Sequence, residues 1–394
     1  MAQTMQRATA AGEVPVATPA AAGTDIYTEL GLTPAINARG NATVLGGALL
    51  SPRILAAMDA ANRYFVDMDA LLTRTGQLCA ELLECEAAYI TPGCAAAMAL
   101  GAAACIAGDD GARMERLPDT TGMKREIVIQ ARQRYKYDRA VTIFGGVLRE
   151  AGDSSGTTAE QLDAAIGAET AAVLFPAHLD RHGGTVPLAE AIAIAHNKGV
   201  PVLVDAASQI YPVARMRGWT KMGADLVCFG AKYFGAPHSS GLLCGRAALV
   251  QSAAQQGFIG FERGQYRTVG RPLKLDRGEI IAVVLALREW VTMDHEARIA
   301  RVQERVNEVI RRLDGVRGLT ATSVPNANFG APALRVQVDP SSGQTAEQLA
   351  RALAAGQPSI LASHDAQSLR FNLTTVHEGD ELVIADRLRA LLTT

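Results

Sequence analysis

Two ionisable residues stand where apolar runs end. Asp205 closes Val202-Leu-Val, and 27 residues later (232 minus 205) Lys232 follows the run Leu-Val-Cys-Phe-Gly-Ala. In an open α/β sheet both would lie at the carboxyl edge, the edge at which such sheets bind ligands. A lysine there joins an aldehyde as an imine once its amine is deprotonated, and a dry pocket lowers its pKa toward that state. An aspartate beside a pyridine nitrogen keeps that nitrogen protonated and makes the ring an electron sink. Taken singly, an aspartate that caps a helix and a lysine on a solvated loop explain the same residues. A third stretch, Tyr89-Ile-Thr-Pro-Gly93-Cys94-Ala95-Ala-Ala-Met, reads as a strand breaking into an Ala-rich helix. The amides of Gly93, Cys94 and Ala95 would point at a phosphate with the helix dipole behind them.

The elements that must position these groups follow from periodicity. From about Ser51 to Val250 helical and strand patterns alternate, as in a parallel sheet with helices on both faces. Thr158 and Gln161 have capping-box spacing and open a helix through Ile166, ahead of a buried strand Ala171–Phe175. Pro187 starts a second helix that stops at Gly199, ahead of the strand Val200–Val204. The stretch from Arg277 to Leu313 reads as one long helix leaving the large domain. Beyond it, a strand Ala333–Val338, a helix opened by Thr345 and Gln348, a strand Leu369–Leu373 and a helix from Asp380 predict a small α/β domain. The expected division is a tail at 1–22, a large domain at 23–285 and a small domain at 286–394.

With 38 basic and 40 acidic residues well mixed among 394, there is no field to recruit a polyanion, so nucleic acid is not expected as a partner. No apolar run reaches membrane-spanning length. The six cysteines form no CxxC pair, no metal site is expected, and a reducing cytoplasm is the expected compartment. The tail, rich in Ala, Thr and Pro with Arg7 as its one base, lacks the charged head and apolar core of a secretory leader.

The order of Gly-rich turn, strand aspartate and Gly-Ala-Lys232 turn resembles the fold-type-I pyridoxal 5′-phosphate (PLP) enzymes. More narrowly it is similar to the family that contains bacterial selenocysteine synthase (L-seryl-tRNA selenium transferase) and D-glucosaminate-6-phosphate ammonia-lyase. The matching stretches are Ile36-Asn37-Ala-Arg39-Gly40, Glu126-Ile-Val-Ile-Gln-Ala-Arg132, Pro176-Ala-His178, Val204-Asp205-Ala-Ala, Lys232 with Pro237 and Gly241, and Gly270-Arg271-Pro272-Leu-Lys274, with an echo at Leu369-Arg370-Phe-Asn372. The resemblance implies an aspartate-aminotransferase-like large domain with a mostly parallel sheet, plus a small C-terminal α/β domain. It implies PLP as cofactor, Lys232 as its Schiff-base lysine, Asp205 as the partner of the ring nitrogen and Gly93–Ala95 as the phosphate cup. It further implies that Arg271 reaches the phosphate of a neighbouring subunit, within a homodimer. Gly230-Ala231 stands where many members have Gly-Gly, and His238 where Gln is common; both departures bear on the substrate pocket.

Other candidates carry duller alternatives beside them. His178 could lie over the cofactor ring or act as an acid, or be a histidine bonded to backbone. Ser208 or Gln209 could meet the cofactor's phenolic oxygen, or be turn residues. Arg39 and Arg370 could grip a substrate carboxylate, or form surface salt bridges. The run Arg132, Arg134, Lys136 and Arg139, expected on a helix start, could face an anion or water. The expected activity is α,β-elimination on a small amino acid. The alternatives are racemisation, aldol cleavage, transamination, selenium transfer on a charged tRNA, and a non-catalytic PLP-fold binding protein.

Overall fold

The computed structural model describes residues 25–180, 182–326 and 330–392, so the expected tail at 1–22 lies outside the described residues. The strands are β1 (Ala35–Asn37), β2 (Ala87–Thr91), β3 (Glu126–Gln130), β4 (Val147–Ala151), β5 (Thr170–Pro176), β6 (Val202–Asp205), β7 (Leu226–Gly230) and β8 (Gly241–Gly245), followed by β9 (Leu319–Val324), β10 (Ala333–Val338), β11 (Ser359–Leu361), β12 (Ser363–His364) and β13 (Ser368–Phe371). Seven of them form the large sheet in the order β2-β8-β7-β6-β5-β3-β4. All its pairings are parallel except those of β8, which runs antiparallel to both β2 and β7. The parallel strands are buried apolar runs, as strands covered by helices on both faces must be.

Helices Ala159–Ala165, Leu188–Asn197 and Val213–Lys221 make the crossovers between β4, β5, β6 and β7. The first is held by the capping box of Thr158 and Gln161. The helix Cys94–Ala107 is apolar all round and almost wholly buried. Its Gly101 lets it lie on the sheet, for a Cβ there would meet the side chains of Leu203, Leu226 and Leu243 at 3.1 to 3.5 Å.

A second apolar core, built on Val306, Leu334, Leu349, Phe371 and Ile384, surrounds the four-stranded antiparallel sheet β12-β13-β10-β9. The chain passes from one core to the other at Met293 and Asp294. The segment expected to be one helix from Arg277 to Leu313 is two, Arg277–Thr292 and His295–Leu313. Met293 takes an extended ψ of 142° and the Asp294 carboxylate caps the second helix through the Ala297 amide, a local bond that competes with helix continuation. The expected boundary at 285/286 therefore falls inside the first of these helices. The N-terminal segment, expected within the large domain, instead pairs β1 in parallel with β11 and packs Ile36 and Ala38 on the second core.

Among the described residues no helix is long and apolar enough to cross a membrane.

Candidate active site

The sheet register lines the chemistry up along one edge. Thr91 pairs with Gly241, Gly241 with Gly230, Cys228 with Asp205 and Asp205 with Pro176. The turn after β2, Lys232 just past β7, Asp205 at the end of β6 and His178 just past β5 thus share the carboxyl edge.

The turn is built by close approach. Gly93, at φ +85°, caps the helix Cys94–Ala107, and a Cβ on Gly241 would lie 2.3 Å from the Gly93 carbonyl carbon and 2.7 Å from the Cys94 nitrogen. Of the three amides expected to be open, that of Gly93 donates to the Thr91 carbonyl at 2.9 Å, because the turn that reverses the chain consumes it. The amides of Cys94 and Ala95 remain, in the first helical turn where no intrahelical acceptor exists.

Asp205 is 5% exposed, and among the described residues no Lys, Arg or His pairs with it. Its Oδ1 accepts from the Ala207 amide at 3.0 Å and from Cys94 Sγ at 3.5 Å, and its Oδ2 accepts from the Tyr135 hydroxyl. Burial and the Asp205 charge together push both the Cys94 thiol and the Tyr135 phenol well above their ordinary pKa. Both remain neutral donors. A buried carboxylate served only by neutral donors costs several kcal/mol, roughly, relative to one with a cation beside it.

Lys232 is 9% exposed and, like Asp205, has no oppositely charged partner among the described residues. Burial lowers its pKa. Its Nζ donates to Thr43 Oγ1 at 2.9 Å and sits 5.2 Å from the Tyr233 ring centroid, while Asn41 Nδ2 donates to its carbonyl at 3.1 Å. His238 lies close enough that burial and then the lysine charge lower its own pKa, and its Nδ1 is buried without a hydrogen-bond partner.

Arg39 and Arg370 line one cavity of about 320 Å³ together with Asn41, Tyr233, Ser363 and Asn372. Arg370 donates to the Pro325 carbonyl at 3.1 Å, and neither guanidinium has a carboxylate partner among the described residues. The surface salt bridges that could have explained these two arginines are absent there. His178 is exposed, its ring edge-on to Tyr135 at 5.3 Å. Half-buried Ser208 and buried Gln209 lie on the turn after β6. Arg271 pairs with Glu262 at 2.5 Å in the same chain. The basic run follows β3 through a 3-10 turn, Ala131–Gln133, rather than a helix start, and within it Arg134 is neutralised by Asp138 and Glu150. Thr43, Asn41 and Tyr135 were not among the candidates read from sequence. Asn41 directly follows the Arg39-Gly40 motif, but the other two gain their roles only from partners far along the chain.

The aminotransferase class-V family signature matches residues 137–332. The chain is 36% identical over 345 residues to 5′-C-glycyluridine monooxygenase-decarboxylase of a Streptomyces species, covering 85% of this chain and 83% of that protein. It is 30% identical over 378 residues to D-glucosaminate-6-phosphate ammonia lyase of Salmonella typhimurium (strain 14028s / SGSC 2262), covering 93% and 98%. A solved structure of D-glucosaminate-6-phosphate ammonia-lyase superposes with a TM-score of 0.83 at 29% identity, over 94% of this chain and 98% of that one. The chain belongs to the aminotransferase class-V family of fold-type-I, PLP-dependent enzymes. The residues present fit that cofactor: a buried carboxylate lacking a cation suits a protonated ring nitrogen, a buried amine suits an aldehyde, and two open amides at a helix start suit a phosphate.

Proposed function

We propose that this chain is a lyase that eliminates a β-substituent from a small, polar amino acid, with Lys232, Asp205, Cys94 and Ala95 as the residues that hold PLP. The observation that carries the reading is Asp205, a buried charge with no cation of its own, in register beside the strand that leads to Lys232. Bound PLP supplies the aldehyde that joins an amine and the ring that draws electron density from the substrate's α-carbon. Asp205 holds the proton on the ring nitrogen. The Lys232 amine, its pKa lowered by burial, takes the proton from the α-carbon onto Nζ. Departure of a β-hydroxyl needs a proton, for which His178, at the open side of the site, is the candidate donor. Arg370 takes the α-carboxylate, and Arg39 with Asn41, Ser363 and Asn372 meets the polar remainder.

The ammonia lyase relative supports elimination; the decarboxylase relative supports a second reading, oxidative decarboxylation. One name couples a glycyl group to a nucleoside and the other is the acid of an amino sugar, both polar and rich in hydroxyls, which matches a cavity lined by guanidinium, amide and hydroxyl groups. Product analysis separates the two: ammonia with a 2-oxo acid marks elimination, and oxygen uptake with carbon dioxide marks the other. Lys232→Ala is expected to lose turnover and the visible absorbance of the cofactor-loaded protein, and a fully active variant would overturn the assignment.

The proposed active unit is a homodimer. Of the fifteen large hydrophobic residues exposed among the described residues, ten fall between Ile26 and Val66, including Val44 at 79% and Phe65 at 97%. Large apolar side chains left this exposed on a folded chain suit a surface that another protein covers. The six free thiols suit a reducing compartment such as the cytoplasm.

A further inference from the structure

Residues 38–47 form a strap that is fastened to both cores. At its start, the Ala38 amide donates to Leu361 O at 2.9 Å, the Asn372 amide to Ala38 O at 2.8 Å, and Thr375 Oγ1 to Asn37 O at 2.8 Å. At its end, Gly47 lies so close to His238 that a Cβ there would sit 2.5 Å from the imidazole Nδ1, and its φ of +79° is one that L side chains avoid. Between these anchors the strap passes over Lys232, giving it one side-chain hydroxyl, that of Thr43, and fixing its carbonyl through Asn41.

A lysine side chain has four rotatable carbons and loses on the order of 2 kcal/mol of rotamer freedom when held in one pose. Lys232 needs such a pose twice, once to meet the cofactor aldehyde and once to face the substrate's α-hydrogen, and among the described residues no carboxylate supplies it. We propose that Thr43 is a positioning residue for this lysine. Its hydroxyl oxygen accepts one N–H of the free amine, leaving the lone pair of the neutral form to be aimed at the reacting carbon. Because the same strap carries Arg39 and is pinned to the strand that carries Arg370 by way of Asn372, the amine and the substrate grip are placed by one piece of chain. The proposal rests on the reading of Lys232 given above.

The experiment compares full-length wild type, Thr43→Val and Thr43→Ser after removal of cofactor. The rate at which PLP condenses with the lysine is followed by visible absorbance. Affinity for pyridoxine 5′-phosphate, which has an alcohol in place of the aldehyde, is measured in parallel and reports the pocket without the lysine's chemistry. Valine should slow condensation about tenfold, the size of one ordinary hydrogen bond, and serine should stay within about threefold of wild type. Pyridoxine 5′-phosphate should bind all three equally. Valine as fast as wild type, serine as slow as valine, or an equal loss of pyridoxine 5′-phosphate binding would each overturn the role of Thr43. Wild type that binds pyridoxine 5′-phosphate yet forms no lysine adduct would instead sink the reading of Lys232 itself.

Discussion

At the scale of single residues, the energetics centre on Asp205. In the protein without cofactor its carboxylate has three neutral donors, from Ala207, Cys94 and Tyr135. A protonated ring nitrogen held beside this carboxylate would bring the positive charge the site lacks. Asp205→Asn should therefore act with opposite signs in two states. The cofactor-free protein should melt at a higher temperature than wild type, because a buried charge is gone. The loaded protein should turn over slower by a few powers of ten, each tenfold being about 1.4 kcal/mol of barrier. Differential scanning calorimetry with and without PLP, beside a turnover assay, reads both; a variant that matches wild type in turnover means another group partners the ring. Burial also gives Lys232 a pH signature. Since its pKa is lowered, the neutral amine that condenses with PLP becomes available at lower pH than for an exposed lysine. Condensation should rise with pH and level off below the ordinary lysine range near 10.4, and a midpoint at the exposed value would contradict the buried placement.

At the scale of elements, the local chemistry of the chain was readable where it is local. The capping boxes at Thr158 and Thr345, and the strand Ala333–Val338, lie where the spacing placed them, because a cap and a two-residue period involve only neighbours. The break at Met293 was not readable from apolar periodicity, which runs on through it while Asp294 quietly restarts the helix. The strap from 38 to 47 has no period at all, and the worth of Thr43 depends on a lysine 189 positions away. Likewise Tyr135 lay hidden in a run read for its charges. The turn after β2 offers the sharpest element-level test. Gly241→Ala would push a methyl into the backbone of Gly93 and Cys94, atoms that cannot step aside as a side chain end could. It should weaken PLP binding at least about tenfold and cost about 1–3 kcal/mol of stability. Gly167→Ala, with open space around its Cβ, should do neither. Equilibrium dialysis against PLP and thermal melts decide it, and unchanged affinity in Gly241→Ala would remove this turn from the phosphate site.

At the scale of the molecule, the question is what covers the apolar segment from Ile26 to Val66. Phe65 leans on Arg277 of its own chain, with the guanidinium 5.5 Å from the ring centroid, but is otherwise open. Val44 lies in the strap next to Thr43, which holds Lys232, and Leu49 follows just beyond it, so a partner that covers them would sit beside the site. A second copy is the occupant proposed here, since closed two-fold pairs are the commonest assemblies and a self-complementary patch needs no other partner. Sedimentation of the wild type should give twice the 41.5 kDa chain mass. Phe65→Asp, placing a charge on the most exposed of these side chains, should shift the protein toward monomer and lower turnover together. Arg271 sharpens the question of shared sites. Within one chain it is paired with Glu262, so reaching a neighbour's phosphate would mean exchanging that carboxylate for a second anion. Mixing an inactive Lys232→Ala chain with an Arg271→Ala chain, under conditions that exchange subunits, tests this directly. If Arg271 serves the neighbour's site, the mixed dimer has one site with both lesions and one with neither, and activity reappears. If Arg271→Ala is fully active alone, Arg271 belongs to its own chain's surface, and the dimer, if sedimentation shows one, shares no residue through it.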